Sequence, residues 1–241
     1  MANYQLLNNI DHADLRVNTE RSASLGDAVM FAVTYPFEMR QVQAHYPIVL
    51  FKNPQDGQMH PVALFGLSQG ENLFLGEQGW EASFIPASIQ RAPFLVGFQE
   101  DPNDPMAETK RVVTIDVDHP RVSKEMGVAV FSDNGGHTDY LQKVSDLLEA
   151  IYSGGIQNKA LIAALEKYQL LQSMDLDVGL ADGSHVQLSG FYVIDDLALQ
   201  QLAASALDDL NQQSLLLPIY MMVASMSQLR ALVQRKNARL G

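Results

Sequence analysis

Two His-x-Asp triplets are the patterns in this chain that most resemble a metal site. They are His12-Ala-Asp14 near the N-terminus and His137-Thr-Asp139 farther along, with His185 as a distal candidate ligand. A non-haem iron site uses two histidines and one carboxylate and keeps positions open for oxygen. His12 has too few residues ahead of it to build the strands that usually hold this motif, and His137-Thr-Asp139 opens a predicted helix. We therefore keep His137, Asp139 and His185 as candidate ligands but favour no metal site, and we expect no cofactor.

Arg91 is the charged residue whose surroundings best predict binding. It lies between Ile89 and the pair Pro93-Phe94, beside large apolar side chains. A guanidinium in such surroundings needs a carboxylate, a carbonyl or a ligand anion as its partner. Glu38 and Glu71 are the candidate partners. Two interpretations stay open, an internal ion pair that holds the aromatic segment and an anion-binding site.

His12 and Ser225 have candidate roles of their own. His12 could act as a general base, because histidine titrates near neutral pH, or could dock the N-terminal arm. Ser225 lacks a G-x-S-x-G elbow and lies within a predicted helix, so we expect its hydroxyl to bond back along that helix. These residues do not complete a catalytic constellation, and whether the chain is an enzyme is left open.

An aromatic segment, residues 72–98, is the element expected to position these groups. It holds the only tryptophan, Trp80, and several phenylalanines, separated by prolines and glycines. Aromatic side chains bury the most area per residue, and Pro and Gly set the turns between them. We expect this segment to be a rigid centre of the fold.

Apolar runs on both sides of the aromatic segment predict strands. Residues 46–51 and 62–67 are nearly continuous apolar runs joined by a Pro- and Asp-Gly-containing turn, which predicts a hairpin buried on both faces. Residues 111–117 and 127–131 are two further predicted strands. Residues 99–110 carry two prolines and several acidic side chains, which is typical of a solvated loop.

The second half of the chain is mostly helical in pattern. Apolar residues recur at helical spacing after Thr138, a predicted N-cap, and Gly154 is a predicted stop. The other predicted elements are a helix over residues 158–172, a hairpin at 175–194, a helix capped by Asp195 or Asp196, and a final helix from Ser214.

This order of elements predicts the α+β class. Strands dominate residues 1–135 and helices dominate 136–241, so a mostly antiparallel sheet from the N-terminal half would be covered by helices from the C-terminal half. We expect a single domain over residues 1–241. A Gly-rich phosphate loop, which nucleotide-binding α/β folds carry, is absent from the sequence.

Composition bounds the partners and the location. A formal charge of -12 argues against nucleic acid or an anionic membrane as the main partner. The absence of cysteine excludes disulfides and thiolate sites. The N-terminus lacks the pattern of an export signal, so we expect a cytoplasmic protein. The most apolar run, Leu215–Met226, is too short to span a bilayer, and we expect no membrane span.

These residues together resemble the SapC family of bacterial proteins over almost the whole chain. The matching positions include His12, Tyr35-Pro36, Tyr46-Pro47-Ile48, Glu71 to Phe74, Trp80, Phe84 to Ala87, Arg91, Pro93-Phe94, Gly190-Phe191, Ile194-Asp195 and Ser225. The family block reads closer to W-x-x-x-Y-I-P-A-x-I-R-R-Y-P-F. Here Phe84, Gln90 and Ala92 stand where that block has Tyr, Arg and Tyr, so a hydroxyl and a charge are lost.

The resemblance implies an accessory role rather than a defined reaction. Some family members look like neighbours of TonB-dependent receptors, flavin-dependent halogenase-like enzymes and cupin-like oxygenases. We therefore expect a binding or accessory protein that works with a partner enzyme or uptake system, through a protein partner or a small ligand. The alternatives are a non-haem iron oxygenase acting on a small molecule or peptide, and a surface-layer-associated protein. A homo-oligomer is left open.

Overall fold

The computed structural model describes residues 2–100 and 109–240. It has 32% helix and 26% strand, with antiparallel sheets and several helices, which confirms the predicted α+β class. Most of the loop predicted at residues 99–110 lies outside the described residues.

The chain divides into two compact units, each built from two separate stretches of sequence. Unit 1 comprises residues 1–27 and 89–153, and unit 2 comprises residues 28–88 and 154–241. The boundaries fall within two helices, α2 (Ala87–Gln90) and α3 (Asp139–Lys167). The assignment of residues 1–241 to a single domain stays a prediction.

Unit 1 contains two small antiparallel sheets. The first has the order β1-β9-β8 and the second has the order β10-β2-β11. Their strands are β1 (Tyr4–Leu6), β2 (Arg16–Val17), β8 (Phe94–Gln99), β9 (Lys110–Asp116), β10 (Val122–Ser123) and β11 (Val128–Ala129). The end of the aromatic segment is thus a strand, which the sequence prediction missed.

The core of unit 1 joins these sheets to the first half of α3. Its fully or nearly buried members are Leu15, Val17, Phe94, Ile115, Val130, Phe131, Leu141, Val144 and Leu148. The last three lie at helical spacing, as the sequence predicted, so one face of α3 covers the apolar side of the strands. Thr138 caps this helix, because its hydroxyl accepts a hydrogen bond from the Leu141 amide at 3.3 Å.

Unit 2 is built on a five-stranded antiparallel sheet in the order β12-β13-β4-β5-β3. The strands are β3 (Phe31–Val33), β4 (Ile48–Lys52), β5 (Met59–Leu64), β12 (Leu171–Gly179) and β13 (His185–Ile194), and β6 (Leu75–Gly76) forms a separate hairpin with β7 (Gly79–Trp80). The β4-β5 hairpin confirms the predicted one. Its inner residues are buried on both faces, as their continuous apolar character indicated.

Besides the second half of α3, unit 2 contains the short helix α1 (Met39–Val42) from the N-terminal half. Its helices from the C-terminal half are α4 (Asp196–Gln200), α5 (Ala204–Gln212), α6 (Leu216–Ser225) and α7 (Gln228–Ala238). Helix α6 packs against β4 and β13. The Asp195 carboxylate accepts from the amides of Leu197 and Ala198, which confirms it as the cap of α4. The single final helix predicted from Ser214 is instead two helices.

Gly154 does not stop a helix, and the two helices predicted around it are one. A Cβ at Gly154 would lie 2.8 Å from the Tyr35 Cβ and 3.0 Å from the Phe37 ring, so the glycine permits a close approach within unit 2. Helix α3 ends instead before Gln169, which adopts the left-handed conformation at φ 54°. The strand β12 therefore begins at Leu171, earlier than predicted.

Candidate functional site

His12 holds the N-terminal arm of unit 1. Its ring is 5% exposed. Its Nδ1 accepts a hydrogen bond from the Asn8 amide at 3.2 Å, and its Nε2 lies 3.3 Å from the Gln5 side-chain oxygen. Because Nδ1 faces a backbone donor, the proton of the neutral ring belongs on Nε2, where Gln5 accepts it. Both ring nitrogens are thus engaged in local contacts.

Glu38 is a buried carboxylate that fastens two parts of unit 2. It is 2% exposed and accepts hydrogen bonds from the Thr34 hydroxyl at 2.9 Å and the Ala87 amide at 2.8 Å. Burial raises the pKa of this carboxyl to about 7, although its hydrogen bonds with Ala87, Thr34 and the Tyr35 backbone lower it. The carboxylate therefore joins the end of β3 to the start of α2.

Glu71 and Arg91 have partners within their own units. The Glu71 carboxylate accepts from Lys236 at 2.6 Å and from the Leu67 amide at 2.9 Å, in unit 2. The Arg91 guanidinium donates to the Phe94 carbonyl at 2.9 Å, in unit 1. The predicted pairing of Arg91 with either glutamate stays a prediction, because the partners belong to different units.

The candidate metal ligands lie on the surface. His137 and Asp139 are exposed before and at the start of α3, and the His185 ring lies 3.0 Å from the Asp177 carboxylate across the β12-β13 hairpin. Residues 2–100 and 109–240 contain no group of three or more His, Asp or Glu side chains placed to hold a metal ion. The described part of the chain therefore offers no ligand set for a non-haem iron site.

A buried tyrosine organises the aromatic segment. The Trp80 indole donates to the Tyr46 hydroxyl at 2.7 Å, and that hydroxyl donates to the Phe84 carbonyl at 2.5 Å. The Tyr46 ring also packs edge-on against Phe65 and Phe74, with centroids 5.2 and 4.6 Å apart. Burial raises the pKa of Tyr46, so the hydroxyl stays protonated and keeps its donor role.

The basic end of α7 holds the same segment from the other side. The Arg235 guanidinium lies 4.5 Å from the centre of the Phe74 ring and 2.8 Å from the Glu81 carboxylate. Arg239 donates to the carbonyls of Leu73 and Leu75. Arg235 and Arg239 were not among the predicted site residues. Their contacts with residues 73–81 could not be read from helical spacing alone.

Ser225 is a structural hydroxyl. It is fully buried, donates to the Met222 carbonyl at 2.5 Å and accepts from the Ile48 amide at 2.8 Å. The bond along its own helix was predicted, whereas the bond to β4 was not. With both contacts made, this hydroxyl fastens α6 to the sheet.

The outer face of α6 is apolar and exposed. This α6 face comprises Leu217, Tyr220, Met221 and Ala224, which follow one another at helical spacing. Leu217 is 48% exposed and Tyr220 47% exposed. Met221 is half-buried and belongs to this face, whereas the neighbouring Met222 is buried in the core.

One stretch, Leu216–Ala238, is long and apolar enough to cross a membrane by length and composition. Its most apolar 18 residues have a mean hydropathy of 1.4, and 28% of them are buried. A single stretch of this kind does not by itself indicate a membrane span, because the core helices of soluble proteins can have the same length and composition. Here the stretch is divided into α6 and α7, and no firm membrane span is defined.

The fold and these contacts define an α+β protein whose aromatic segment is fastened by its own C-terminal helix. A family model described as SapC matches residues 7–232 of the chain. The chain therefore belongs to the SapC family, which confirms the resemblance seen in the sequence. Neither the curated proteins nor the solved structures searched gave a match.

Proposed function

We propose that this SapC family member is a cytoplasmic binding or accessory protein that acts with a protein partner rather than as a stand-alone catalyst. The observation that carries the proposal is the α6 face. Helix α6 is apolar all round, and such helices are normally buried on every side. Its outward side is nevertheless exposed, as on a surface that a partner covers.

The residue types of the α6 face suit a protein interface. Tyrosine and methionine are enriched at such interfaces. Tyr220 supplies a large, stiff contact surface, and Met221 can adapt its shape to the partner.

The charge of the chain favours a partner other than a second copy. Each copy carries a formal charge of -12, so two copies would repel each other. A partner with an apolar centre and a basic rim would be attracted instead. We therefore propose a basic protein surface as the occupant of the α6 face.

Contacts elsewhere support the non-catalytic part of the proposal. The polar groups of His12 and Ser225 are engaged in hydrogen bonds within unit 1 and unit 2, respectively. Glu71 is held by Lys236. Side chains that hold the fold in this way are poorly placed to move protons to or from a substrate.

Affinity capture with paired variants tests the proposal. Leu217→Arg places a cation on the α6 face. Leu197→Arg is the matched control, since Leu197 is a 69% exposed leucine on α4. We expect the wild-type chain and Leu197→Arg to retain a stoichiometric partner from the native cytoplasm and Leu217→Arg to lose it.

Three results from the same preparations would contradict the proposal. Recovery of the same proteins by the wild-type chain and Leu217→Arg would remove the α6 face from the interaction. Stoichiometric iron or flavin in the purified wild-type protein would favour an enzyme. A concentration-dependent dimer abolished by Leu217→Arg would identify a second copy as the occupant and overturn the charge argument.

A further inference from the structure

A cavity of about 290 Å³ in unit 1 has a cationic wall. Arg21, Arg121 and Lys143 line it, and the described lining includes no carboxylate. The rest of the wall includes the Tyr140 ring and the apolar side chains of Val144 and Leu147. The cavity therefore combines positive charge with an apolar surface, in a chain whose net charge is strongly negative.

Arg121 is built into this wall with one donor unused. Its side chain is 1% exposed, and Nη2 makes a two-point contact with the Asp27 carboxylate at 2.6 and 2.7 Å. Nη1 donates to the carbonyls of Asn18 and Glu20. Nε is buried and has no hydrogen-bond partner among the described residues. Because the side chain is enclosed by protein and fixed by these contacts, Arg121 contributes a permanent positive charge to the cavity wall.

Asp27 balances only part of the positive charge. Besides Arg121, its carboxylate accepts from the Ser22 amide at 2.9 Å and lies 3.4 Å from the Arg21 guanidinium. Lys143 is exposed at the cavity and forms no ion pair among the described residues. Asp27 thus lies against two of the three cations that line the cavity, which leaves a surplus of positive charge for an anion.

Tyr140 adds a neutral donor to the same wall. Burial raises the pKa of its hydroxyl to about 12, although the nearby Arg121 and Arg21 lower it. The hydroxyl therefore stays protonated at neutral pH. Tyr140 is half-buried and lines the cavity, so its O–H can be donated to a ligand there.

We propose that this cavity binds a small organic carboxylate with an apolar body. The carboxylate would accept a hydrogen bond from the Tyr140 hydroxyl and would be attracted by the charges of Arg21, Arg121 and Lys143, while the body would pack on Val144 and Leu147. The cavity is at the lower end of the size range of ligand pockets, about 300 to 1,000 Å³. An inorganic anion would leave the apolar wall unused. This proposal is independent of the α6 face, which lies in unit 2.

Calorimetric titration of the full chain with three probes tests the assignment. The probes are hydrocinnamate, its uncharged amide and inorganic phosphate. We expect hydrocinnamate to bind one to one and both other probes to bind at least about tenfold more weakly, because a charge-assisted hydrogen bond or the apolar contact is then lost.

Conservative variants locate the site. Lys143→Gln and Tyr140→Phe should each weaken hydrocinnamate binding about tenfold. Lys159→Gln, an exposed lysine of the same helix, is the matched control and should leave binding unchanged. Each substitution keeps the size of the side chain, so the fold is expected to survive.

Four outcomes would overturn the proposal. The first is the absence of hydrocinnamate binding up to about 10 mM, since a ligand of this size is expected to bind at least that tightly. The second and third are equal binding of the amide and equal binding of phosphate. The fourth is a loss of affinity in Lys159→Gln equal to the loss in Lys143→Gln and Tyr140→Phe. The second would show that charge is not recognised, and the third would show that the apolar wall is not used.

Discussion

Glu38 should make the stability of this protein fall as the pH rises from about 4.5 to 7. Burial raises its pKa from the ordinary 4.5 to about 7, so the folded state holds a proton that the unfolded state has released. The contribution of Glu38 to the free energy of unfolding is therefore fully present below pH 4.5 and is lost as the pH rises through 7. The gap between the two pKa values corresponds to about 3 kcal/mol.

The substitution Glu38→Gln removes this titration while leaving an oxygen to accept from the Ala87 amide. The free energy of unfolding, from urea denaturation at a series of pH values, should fall more steeply for the wild type than for the variant. Between pH 4.5 and 8, the difference in the free energy of unfolding between Glu38→Gln and the wild type should change by about 3 kcal/mol in favour of the variant. Glu166→Gln, an exposed carboxylate of α3, should instead run parallel to the wild type.

If the free energy of unfolding changed with pH in the same way for the wild type and Glu38→Gln, the raised pKa of Glu38 in the folded state would be contradicted. That result would mean that water or a rearranged Thr34 solvates the carboxylate in the folded state, so that burial does not control its ionisation.

Three further substitutions test the packing of unit 2. Gly154→Ala should lower the free energy of unfolding by about 1 to 3 kcal/mol, because the new methyl group would overlap Tyr35, whereas Gly155→Ala, with nothing within 4 Å, should raise it by about 1 kcal/mol. Urea denaturation checks both, and equal effects would contradict the close-approach explanation. Ser225→Ala leaves the Ile48 amide without its acceptor and should cost about 1 to 3 kcal/mol; an unchanged stability would show that this bond is dispensable.

Local patterns predicted the parts of the fold that local chemistry determines. The β4-β5 hairpin follows from apolar runs around an Asp-Gly turn. The caps at Thr138 and Asp195 follow from short-range hydrogen bonding between a side chain and the next helical turn. The family block around Trp80 was recognisable for the same reason, since its spacing is preserved within one short segment.

Long-range contacts account for what the sequence did not predict. Gly154 reads as a helix stop in isolation, and only the approach of Tyr35, distant in sequence, explains why the helix continues through it. In the same way, the pairing of β1 with β9 joins strands that are far apart in the chain. Periodicity contains no information about such partners.

The candidate site was less predictable than the fold. Arg91 was singled out as a charge beside apolar side chains, with Glu38 and Glu71 as its candidate partners. The observed contacts of these three residues include backbone groups, the Thr34 hydroxyl and Lys236. The cavity beside Arg121 was missed entirely. An arginine between His-Pro and Val-Ser carries no local signal of burial, because its partner Asp27 lies in a different part of the sequence.

Photo-crosslinking in the living cell shows whether a partner protein covers the α6 face. A photoreactive phenylalanine analogue in place of Tyr220 puts the reactive group on the α6 face, and the same analogue in place of Leu197 is the control. We expect one dominant protein adduct from position 220 and none of that mass from position 197. The absence of an adduct at position 220, or the same adducts from both positions, would contradict the proposed function.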